Sequence, residues 1–517
     1  MNYIDLFRAT LPETVLEIAA LLVLVVDLAA LRNAALQTRA AVAALLGVIG
    51  CGVALCTVSG APAFTAGTNV LLAAGGSASV AQYGVLVLTA LTLLLLIDTD
   101  FTRHAGEYVA VVLMSASGGL FIAAAQDLLV IFIGLELLSL GLYILTAFAK
   151  KSGRSAEAAI KYYLFGGMSA AFLLFGFSYL YGLSGSTWLP QVVFGTYEAA
   201  AKGGAPLLYI ALVMIAAGLG FKVAAVPFHL WAPDTYEGAP APAAAFIASV
   251  SKVASFALLI SISGAALRFM STLLPGTGHA SLTLSVMQAG QSHPHEIMGF
   301  PSAWSLVLVV LSVASMVFGN LAALAQVSVR RLLAYSAIAH AGYILLGLAF
   351  FSWSDRSAQA VLYYILTYGL TTIGAFAAVG VVERATGSDR LDSFLGLHKR
   401  APVLAAVLLV LFLSLAGIPP LVGFWAKFNL FAAVLAVGSG VLPFTLVALA
   451  VAFSAVSLYY YLQVLKRVYV LPAVDDAPVR VHPVTMAVLV AIAAAVLVLG
   501  CLPNLLQGWI AGFYPGM

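Results

Sequence analysis

Fourteen long apolar runs constrain the fold of this chain more than any other feature. Each approaches the roughly 20 residues that a helix needs to cross a bilayer, and only 8% of the 517 residues are charged. Inside lipid the backbone polar groups must be paired within the segment, which restricts such runs to helices. The sequence therefore predicts an all-α polytopic membrane protein, whose helices begin near residues 13, 40, 82, 107, 128, 160, 206, 240, 303, 331, 357, 403, 441 and 482.

The polar segments between these runs are too short to form a separate soluble domain. The longest lie near residues 60–81, 183–205 and 269–302, so we do not expect chemistry on a soluble substrate. The three cysteines form no CxxC motif or Cys/His cluster, and there is no GxGxxG motif. We therefore expect neither a metal, an iron–sulfur centre nor a dinucleotide in this chain. A net charge of +3 gives no indication of nucleic-acid binding.

Basic residues are distributed unevenly between the two ends of the helices. Loops after odd-numbered helices carry fifteen lysines and arginines, whereas the opposite loops carry four. The positive-inside rule therefore predicts that the fifteen lie in the cytoplasm and that both termini lie on the outer side. The acidic N-terminal segment lacks a small-residue cleavage site, so we expect a retained first helix and not a signal peptide.

The other four of the 23 basic residues lie inside apolar runs, and all four are lysines. A charged group at mid-membrane costs about 2.5–3.5 kcal/mol and usually marks a proton or ion path. Lysine can lose its proton when it is desolvated, whereas arginine effectively cannot. Together with one glutamate, these lysines form a predicted set of proton-binding side chains: Glu136, Lys161, Lys222, Lys252 and Lys427.

Several of these candidates have an alternative interpretation. Lys161 follows a charged linker directly, so its side chain could equally extend to the interface. Glu136 could be a carboxylic acid that burial keeps neutral. His229 and His340 titrate near neutral pH and suit a proton relay, but each could equally be a hydrogen-bonded packing residue. Our hypothesis is that a lysine alternately near to and far from Glu136 binds and releases a proton.

An internal repeat at an offset of about 200 residues divides the chain. Residues 134–148 match residues 334–348 through the triplets that begin at Tyr143 and Tyr343, and two further matches follow in the same order. An offset of five helices inverts the topology, and inverted repeats are typical of transporters. We predict N-terminal helices 1–3 (residues 1–106), a first repeat of helices 4–8 (107–268), a second repeat of helices 9–13 (303–468) and a final helix 14 (482–517).

Proline predicts a break in one helix of each repeat, because it removes a backbone donor and clashes with the preceding turn. The GIPP segment at 417–420 lies in an apolar run that would be about 50 Å long as one helix, and Lys427 follows it. Pro227 likewise interrupts the helix that carries Lys222. Helices 7 and 12 are therefore predicted to be broken, with protein or water around each break.

Three segments carry a family resemblance: FKVAAVPFHLWAPDTYEGAPAPAAAFIASVSK (221–252), ALAQVSVRRLLAYSAIAHAGY (323–343) and GIPPLVGFWAKF (417–428). They closely resemble the antiporter-like membrane subunits of respiratory complex I, the proton-translocating NADH:quinone oxidoreductase. The chain leaves no room after helix 14 for the lateral helix of L-type members. Lys427 also occupies a position where M-type members typically have glutamate.

This resemblance implies a role for each matching position. Glu136 and Lys222 would form a gating pair, Lys252 would be the central relay, Lys427 would lie towards the outer exit, and Lys161 would contribute to proton handling. NADH, FMN, iron–sulfur clusters and quinone would be bound by other subunits, and this chain would hold no cofactor. Its partners would be the antiporter-like M and L subunits and small K- and J-type subunits, in the bilayer of a bacterial cytoplasmic (inner) membrane.

Two other functions stay open at this point. Subunits of multisubunit cation/proton antiporters share the fold that the resemblance implies. A structural scaffold that has lost pumping is the second alternative. The four buried lysines argue against a scaffold, because it would gain nothing from their desolvation cost.

Overall fold

The computed structural model describes residues 7–58, 71–98, 101–273, 300–351, 355–436, 441–473 and 477–514. Within these ranges the chain forms helices joined by short turns, without a β-strand. Twelve helical segments in this part of the chain are long and apolar enough to cross a membrane. The chain is thus a multi-pass membrane protein. The predicted polar gaps 60–81 and 269–302 lie largely outside the described residues.

Six helices form the N-terminal part of the fold and confirm the first six predicted helices. Their apolar composition and length leave helix as the one backbone state that pairs every polar group in lipid. They are α1 (Leu11–Val25, continued by a π-turn at Val26–Ala30), α2 (Leu36–Val58), α3 (Gly76–Leu96), α4 (Ala105–Ala124), α5 (Leu128–Thr146) and α6 (Gly153–Ser184).

An unpredicted helix and the shorter pieces of the seventh and eighth predicted helices come next in the chain. They are α7 (Leu189–Ala199), a π-turn (Ala200–Gly204), α8 (Ala205–Val223), α9 (Trp231–Gly238), α10 (Ala241–Phe246), a π-turn (Ile247–Ser251) and α11 (Lys252–Leu273). The predicted polar gap 183–205 is wrong as a loop, since it contains α7. That helix buries Leu189, Val192, Val193 and Thr196, whose i, i+3, i+4, i+7 spacing makes one amphipathic face.

The remaining helices confirm predicted helices 9–14, and the twelfth is divided in two. An amphipathic helix, α20, follows the fourteenth. The elements are α12 (Phe300–Leu324), α13 (Val329–Ala349), α14 (Asp355–Thr386), a 3₁₀ turn (Leu391–Phe394), α15 (Leu397–Arg400), α16 (Pro402–Ala416), α17 (Val422–Ala436), α18 (Val441–Tyr469), α19 (Pro483–Cys501) and α20 (Asn504–Ala511).

The two predicted helix breaks are confirmed, and they have the same local construction. α8 ends at Val223, and its C-cap residue Ala224 (φ 58°) lies three residues before Pro227. α16 ends at Ala416, and its C-cap residue Gly417 (φ 86°) lies three residues before Pro420. Both C-cap residues adopt the left-handed conformation that terminates helices. Glycine adopts it without steric cost, whereas an alanine is uncommon there, which makes Ala224 a strained position beside the candidate site.

The starts of α5 and α13 are also built alike. Asp127 caps α5 and Ser328 caps α13, each accepting hydrogen bonds from backbone amides in the first turn. Thr187 donates to the Asp127 carboxylate at 2.5 Å, and Ser328 hydrogen-bonds to the Asp389 carboxylate. In α5 the capping group is a carboxylate bonded to a hydroxyl, and in α13 it is a hydroxyl bonded to a carboxylate. The two capping residues are 201 residues apart along the chain (127 and 328).

Close glycine contacts fix the same register for the helix pairs α4/α5 and α12/α13. A Cβ on Gly118 would lie 2.5 Å from a backbone nitrogen of α5, and one on Gly319 would lie 2.6 Å from a backbone nitrogen of α13. These glycines are again 201 residues apart (118 and 319). The sequence match of Tyr143 with Tyr343 is therefore wrong by one residue, because backbone packing and capping decide the equivalence.

The centre of the bundle is formed by helices from both predicted repeats. Residues 242–266 of α10 and α11 are buried throughout, and α13 and α14 are buried over most of their length. By contrast, fewer than half of the residues in the apolar stretches of α2, α6, α18 and α19 are buried, as expected of lipid-facing or partner-facing helices. The buried centre is where the candidate site lies.

Candidate functional site

Lys222 and Glu136 are close together but do not form an ion pair in this structure. Lys222 lies in the last turn of α8 and is 6% exposed. Its ammonium donates a hydrogen bond to the Ser139 hydroxyl on α5. Glu136 precedes Ser139 by one turn, is half-buried, and is near enough to Lys222 for an electrostatic interaction. No hydrogen bond or ion pair joins Glu136 to a residue that the structure describes.

Lys252 lies at the centre of the bundle, 3% exposed, directly after the π-turn that precedes α11. Its ammonium donates to the Ala337 carbonyl of α13 at 2.6 Å and lies 5.8 Å from the ring centroid of Tyr368. π-turns inside helices occur frequently at functional sites. No carboxylate lies within ion-pair distance of Lys252 among the described residues.

Lys427 lies beside the second helix break, in α17, and is 5% exposed. Its ammonium donates to the Ala416 carbonyl at 2.9 Å and to the Ser454 hydroxyl at 2.8 Å. Ala416 is the last residue of α16, so this carbonyl belongs to the negative end of a half-helix dipole. A half-helix end of this kind is a typical cation partner in interrupted transport helices.

A line of polar rings joins Lys252 to Lys427, with His340 in the middle. The ring centroid of His340 lies 4.9 Å from Tyr368 and 5.8 Å from Tyr343. Tyr368 lies under the Lys252 ammonium, and Tyr343 lies 5.4 Å from the Lys427 ammonium. His340 is within electrostatic range of both lysines. The structure thus brings Lys252 of the first predicted repeat together with His340 and Lys427 of the second, through contacts that the sequence did not reveal.

The sequence profile of the family described as NADH:quinone oxidoreductase/Mrp antiporter, TM, matches this chain twice, at residues 125–289 and 280–454. The chain belongs to this family. All of Glu136, Lys161, Lys222, Lys252 and Lys427 lie inside the matched region. The NADH-quinone oxidoreductase subunit N 2 of Acidobacterium capsulatum is 46% identical over an alignment of 523 positions, which covers 99% of this chain and 99% of that relative.

Solved structures agree with membership of the NADH:quinone oxidoreductase/Mrp antiporter family. A chain of respiratory complex I from Thermus thermophilus with bound aureothin is 32% identical, has a TM-score of 0.74, and is matched over 96% of this chain and 98% of its own length. A chain of the Mrp complex from Dietzia sp. DQ12-45-1b has a TM-score of 0.76 over 98% of both chains. At 21% identity, that second likeness shows the fold alone.

Lys161 takes a different place from the other lysines of this family member. Its ammonium pairs with Glu157 at 2.7 Å and with Asp234 at 2.8 Å, and its side chain is 41% exposed. Asp234 also accepts from Arg331 at 2.7 Å, and Arg331 pairs with Glu237 at 2.9 Å. These ion pairs connect α9, the second part of the first broken helix, to both α6 and α13. Lys161 is thus ion-paired and partly exposed, whereas Lys222, Lys252 and Lys427 are buried.

His229 lies in the first helix break, and the structure does not bring it into the line between Lys252 and Lys427. It is 5% exposed, its ring lies 4.8 Å from that of Phe318, and its Nδ1 has no described partner. Buried polar atoms without a protein partner usually bind ordered water. His229 is therefore placed where a relay through water is feasible and a direct contact with the described lysines is absent.

A buried polar cluster around Asn320 was missed by the sequence analysis. The Asn320 amide donates to the Tyr343 hydroxyl at 3.0 Å and accepts from the Tyr460 hydroxyl at 3.2 Å. Tyr461 hydrogen-bonds to Ser336 close by. The signal in the sequence was an amide and a tyrosine pair inside apolar runs, where unpaired polar groups are costly. This cluster surrounds the ring of Tyr343 and thereby positions the contact with Lys427.

A buried carboxyl group in the N-terminal helices was also missed. Glu13 of α1 is 1% exposed, accepts from the Gln82 amide of α3 at 3.4 Å, and has one oxygen without a described partner. Asp27, in contrast, is buried but paired with Arg39 at 2.6 Å. Glu13 lies in the first turn of α1, a position where acidic residues are common for local reasons. That position made it indistinguishable in sequence from an ordinary helix start.

Proposed function

We propose that this chain is the N-type, proton-translocating membrane subunit of a bacterial NADH:quinone oxidoreductase. Electron transfer from NADH to quinone, with its FMN and iron–sulfur clusters, occurs in other subunits of the complex. The observation that carries the proposal is the burial of three lysines, Lys222, Lys252 and Lys427, each with neutral hydrogen-bond partners. The relative from Acidobacterium capsulatum, similar over its full length, supports the choice of this branch of the family.

The partners of the three buried lysines explain why these side chains suit proton transfer. Lys222, Lys252 and Lys427 hydrogen-bond to hydroxyls and carbonyls, and these groups accept from a neutral amine as well as from an ammonium. A carboxylate partner would hold the charged form in place, whereas neutral partners leave the two protonation states closer in free energy. Each lysine can therefore gain and lose a proton.

His340 couples Lys252 and Lys427 electrostatically. A proton on Lys252 or on Lys427 disfavours a second positive charge on the imidazole between them, because like charges repel in a medium of low dielectric constant. His340 and His229 act as relay groups in this proposal, His229 through water.

The wider assignment follows the same family branch. We place the chain in a bacterial cytoplasmic membrane with both termini on the periplasmic side, beside M- and L-type antiporter-like subunits and small K- and J-type subunits. Helices 4–8 and 9–13, at residues 107–268 and 303–468, act as the two half-channels. Support comes from the uneven distribution of basic loops and from the equivalent capping contacts of α5 and α13.

A second candidate function is that of a subunit in a cation/proton antiporter. The likeness to the Mrp complex chain favours it at the level of the fold. The three buried lysines are compatible with either function, because both functions require a proton path. The two functions differ in the assembly that contains the chain and in the source of energy.

The test is to purify the complex that contains a tagged form of this chain and to reconstitute it in vesicles. We expect co-purification with iron–sulfur subunits and NADH-driven, piericidin-sensitive acidification of the vesicle interior. Proton movement driven by a sodium gradient, with no NADH oxidation in the purified complex, would overturn the proposal in favour of the antiporter. NADH oxidation by a complex whose pumping is unchanged after substitution of all three buried lysines would favour the scaffold.

The ion pairs of Lys161 support a further part of the proposal, that Lys161 does not itself carry protons. Lys161→Arg should keep at least about half of the pumping rate, because arginine preserves ion pairs with Glu157 and Asp234 although it does not release a proton. Pumping and NADH oxidation are measured on the same vesicles, with Lys161→Met as the variant that removes the pairs. An Arg variant that pumps as poorly as a path variant would show that Lys161 itself carries protons.

A further inference from the structure

We propose that Ser139 is a positioning residue that holds the Lys222 ammonium away from Glu136. It thereby stabilises the open state of this pair, in which the two side chains are not ion-paired. The inference rests on the proposed function, since it assigns a state of the same proton path. Ser139 is 2% exposed and lies on α5, and no feature of the sequence distinguished it.

The hydrogen bonds of Ser139 orient its oxygen toward the lysine. Its hydroxyl donates to the Leu135 carbonyl on the same helix and accepts from the Lys222 ammonium. A serine hydroxyl has a single hydrogen, so the bond to Leu135 uses its only donor and leaves its lone pairs for Lys222. The hydroxyl is therefore a fixed acceptor that does not compete for its own proton.

Glu136 is the alternative partner within reach of the same ammonium. Residues three apart on a helix are neighbours on one face, with Cβ atoms about 5–6 Å apart. Lys222 is on the last turn of α8, and its flexible side chain spans that separation. Glu136 has no other described partner, so it is available to the lysine. The ammonium therefore has two acceptors on α5, one neutral and one acidic.

The second repeat supports the importance of this position. In the 201-residue register fixed by the caps and glycine contacts, Ser139 corresponds to His340, and Glu136 corresponds to Ala337. His340 is the ring between Lys252 and Lys427, and the Ala337 carbonyl accepts from Lys252. Each of the two positions, in the first repeat and again in the second, therefore interacts with a buried lysine. The correspondence of Ser139 with His340 is independent of the hydrogen bond that Ser139 makes.

Ser139 and Glu136 compete for the Lys222 ammonium, and this competition determines the effect of removing the Ser139 hydroxyl. Without the hydroxyl, the ammonium loses its neutral partner in a buried site, where an unpaired charged donor is unfavourable. The ammonium then moves to Glu136, and the closed pair holds its proton more tightly. The path is consequently locked in one state, although no proton-carrying group has been removed.

The experiment measures pumping by the purified complex with Ser139→Ala, with Ser139→Cys and with Ser139→Thr. Alanine removes the acceptor, and cysteine keeps the size but is a weak acceptor. For both we expect about fivefold slower pumping and a pH profile displaced to higher pH, because the closed pair releases its proton at higher pH. Threonine retains the hydroxyl and should restore at least half of the rate and the original profile.

Two comparisons separate positioning from a structural role. Ser115→Ala is the matched control, since this buried serine donates to the Val111 carbonyl at 2.7 Å and packs against α5 at Gly141, away from Lys222. It should leave both rate and pH profile unchanged. In a Glu136→Gln background, Ser139→Ala should have less than a twofold further effect, because the competing carboxylate is gone.

Each outcome tests either the proposed function of the chain or the positioning role of Ser139. A wild-type complex that does not pump protons overturns the proposed function. If the wild type pumps and Ser139→Cys matches its rate and pH profile, the proposed function stands and the role of Ser139 is overturned. Equal losses from Ser139→Ala with and without the Glu136 charge would likewise overturn it, as would failure of threonine to restore the pH profile in an assembled complex.

Discussion

Lys252→Met is expected to reduce NADH-driven proton pumping at least about tenfold, because the variant removes a buried proton-binding group at the centre of the bundle. Methionine has a similar length and no charge. Replacement of a buried charge by an apolar side chain of similar volume is often neutral or stabilising, so the complex should still assemble. The measurement is the ratio of pumped protons to oxidised NADH in vesicles, together with the content of the subunit in the purified complex.

Two further variants make the result specific to proton exchange at Lys252. Lys252→Arg should be as inactive as the methionine variant, because arginine keeps the charge but does not release a proton. Lys202→Met is the matched control, since Lys202 is exposed between α7 and α8. Normal pumping by Lys252→Met in a fully assembled complex would contradict a proton path through this residue.

Gly500→Ala is expected to destabilise the subunit by about 1–3 kcal/mol, the usual effect of forcing extra volume into a packed contact. Gly500 lies on α19 against the second helix break. A Cβ there would lie 2.2 Å from the Pro420 carbonyl oxygen and 2.6 Å from the Val422 amide nitrogen. The added methyl would push the break away and weaken the bond of 2.8 Å from the Trp425 indole to the Gly500 carbonyl.

The same substitution at another helical glycine is the control for Gly500→Ala. Gly52 lies on α2, where a Cβ would meet nothing within 4 Å. Gly52→Ala should be neutral or stabilising by up to about 1 kcal/mol, because alanine favours the helix. Thermal inactivation of the purified complex and the subunit content of membranes measure both variants. Equal stability of the two variants would show that α19 does not hold the break in place.

The helices and their breaks were predictable because the bilayer leaves few alternatives. The start of α5 was predicted near residue 128 and lies at Leu128, and the prolines predicted the divisions of helices 7 and 12. A run of apolar residues in lipid must pair its own backbone, so length and proline positions decide the elements. The helix α7 was missed because its apolar face is only four residues wide in the sequence and follows a polar segment.

The candidate residues were predictable as a set, but their partners were not. Lys252 and Lys427 were recognised as buried charges from their apolar surroundings alone. Their hydrogen-bond partners, such as Ala337 for Lys252 and Ser454 for Lys427, were not predictable, because a partner depends on how neighbouring helices are rotated and displaced. Close glycine contacts, such as that of Gly118 with the backbone of α5, fix those rotations.

Lys161 shows this limit most clearly. In sequence it is a lysine at the start of an apolar run, as Lys222 is a lysine at the end of one. Asp234 lies 73 residues further along the chain, and only folding brings it within 2.8 Å of Lys161. A lysine with a carboxylate partner holds its charge, whereas a lysine with neutral partners can exchange a proton. Identical residue types thus acquire different chemistry from their neighbours.

The sequence by itself therefore determined the membrane fold, the two broken helices and the presence of buried lysines, since these follow from the solvation of the backbone and of charge in lipid. Tertiary structure alone decided that Lys222 lies against Ser139, that His340 lies between two lysines, and that Lys161 is ion-paired with Asp234. The physical reason is distance: hydrogen bonds and ion pairs act over a few ångströms, and only packing brings segments remote in sequence that close.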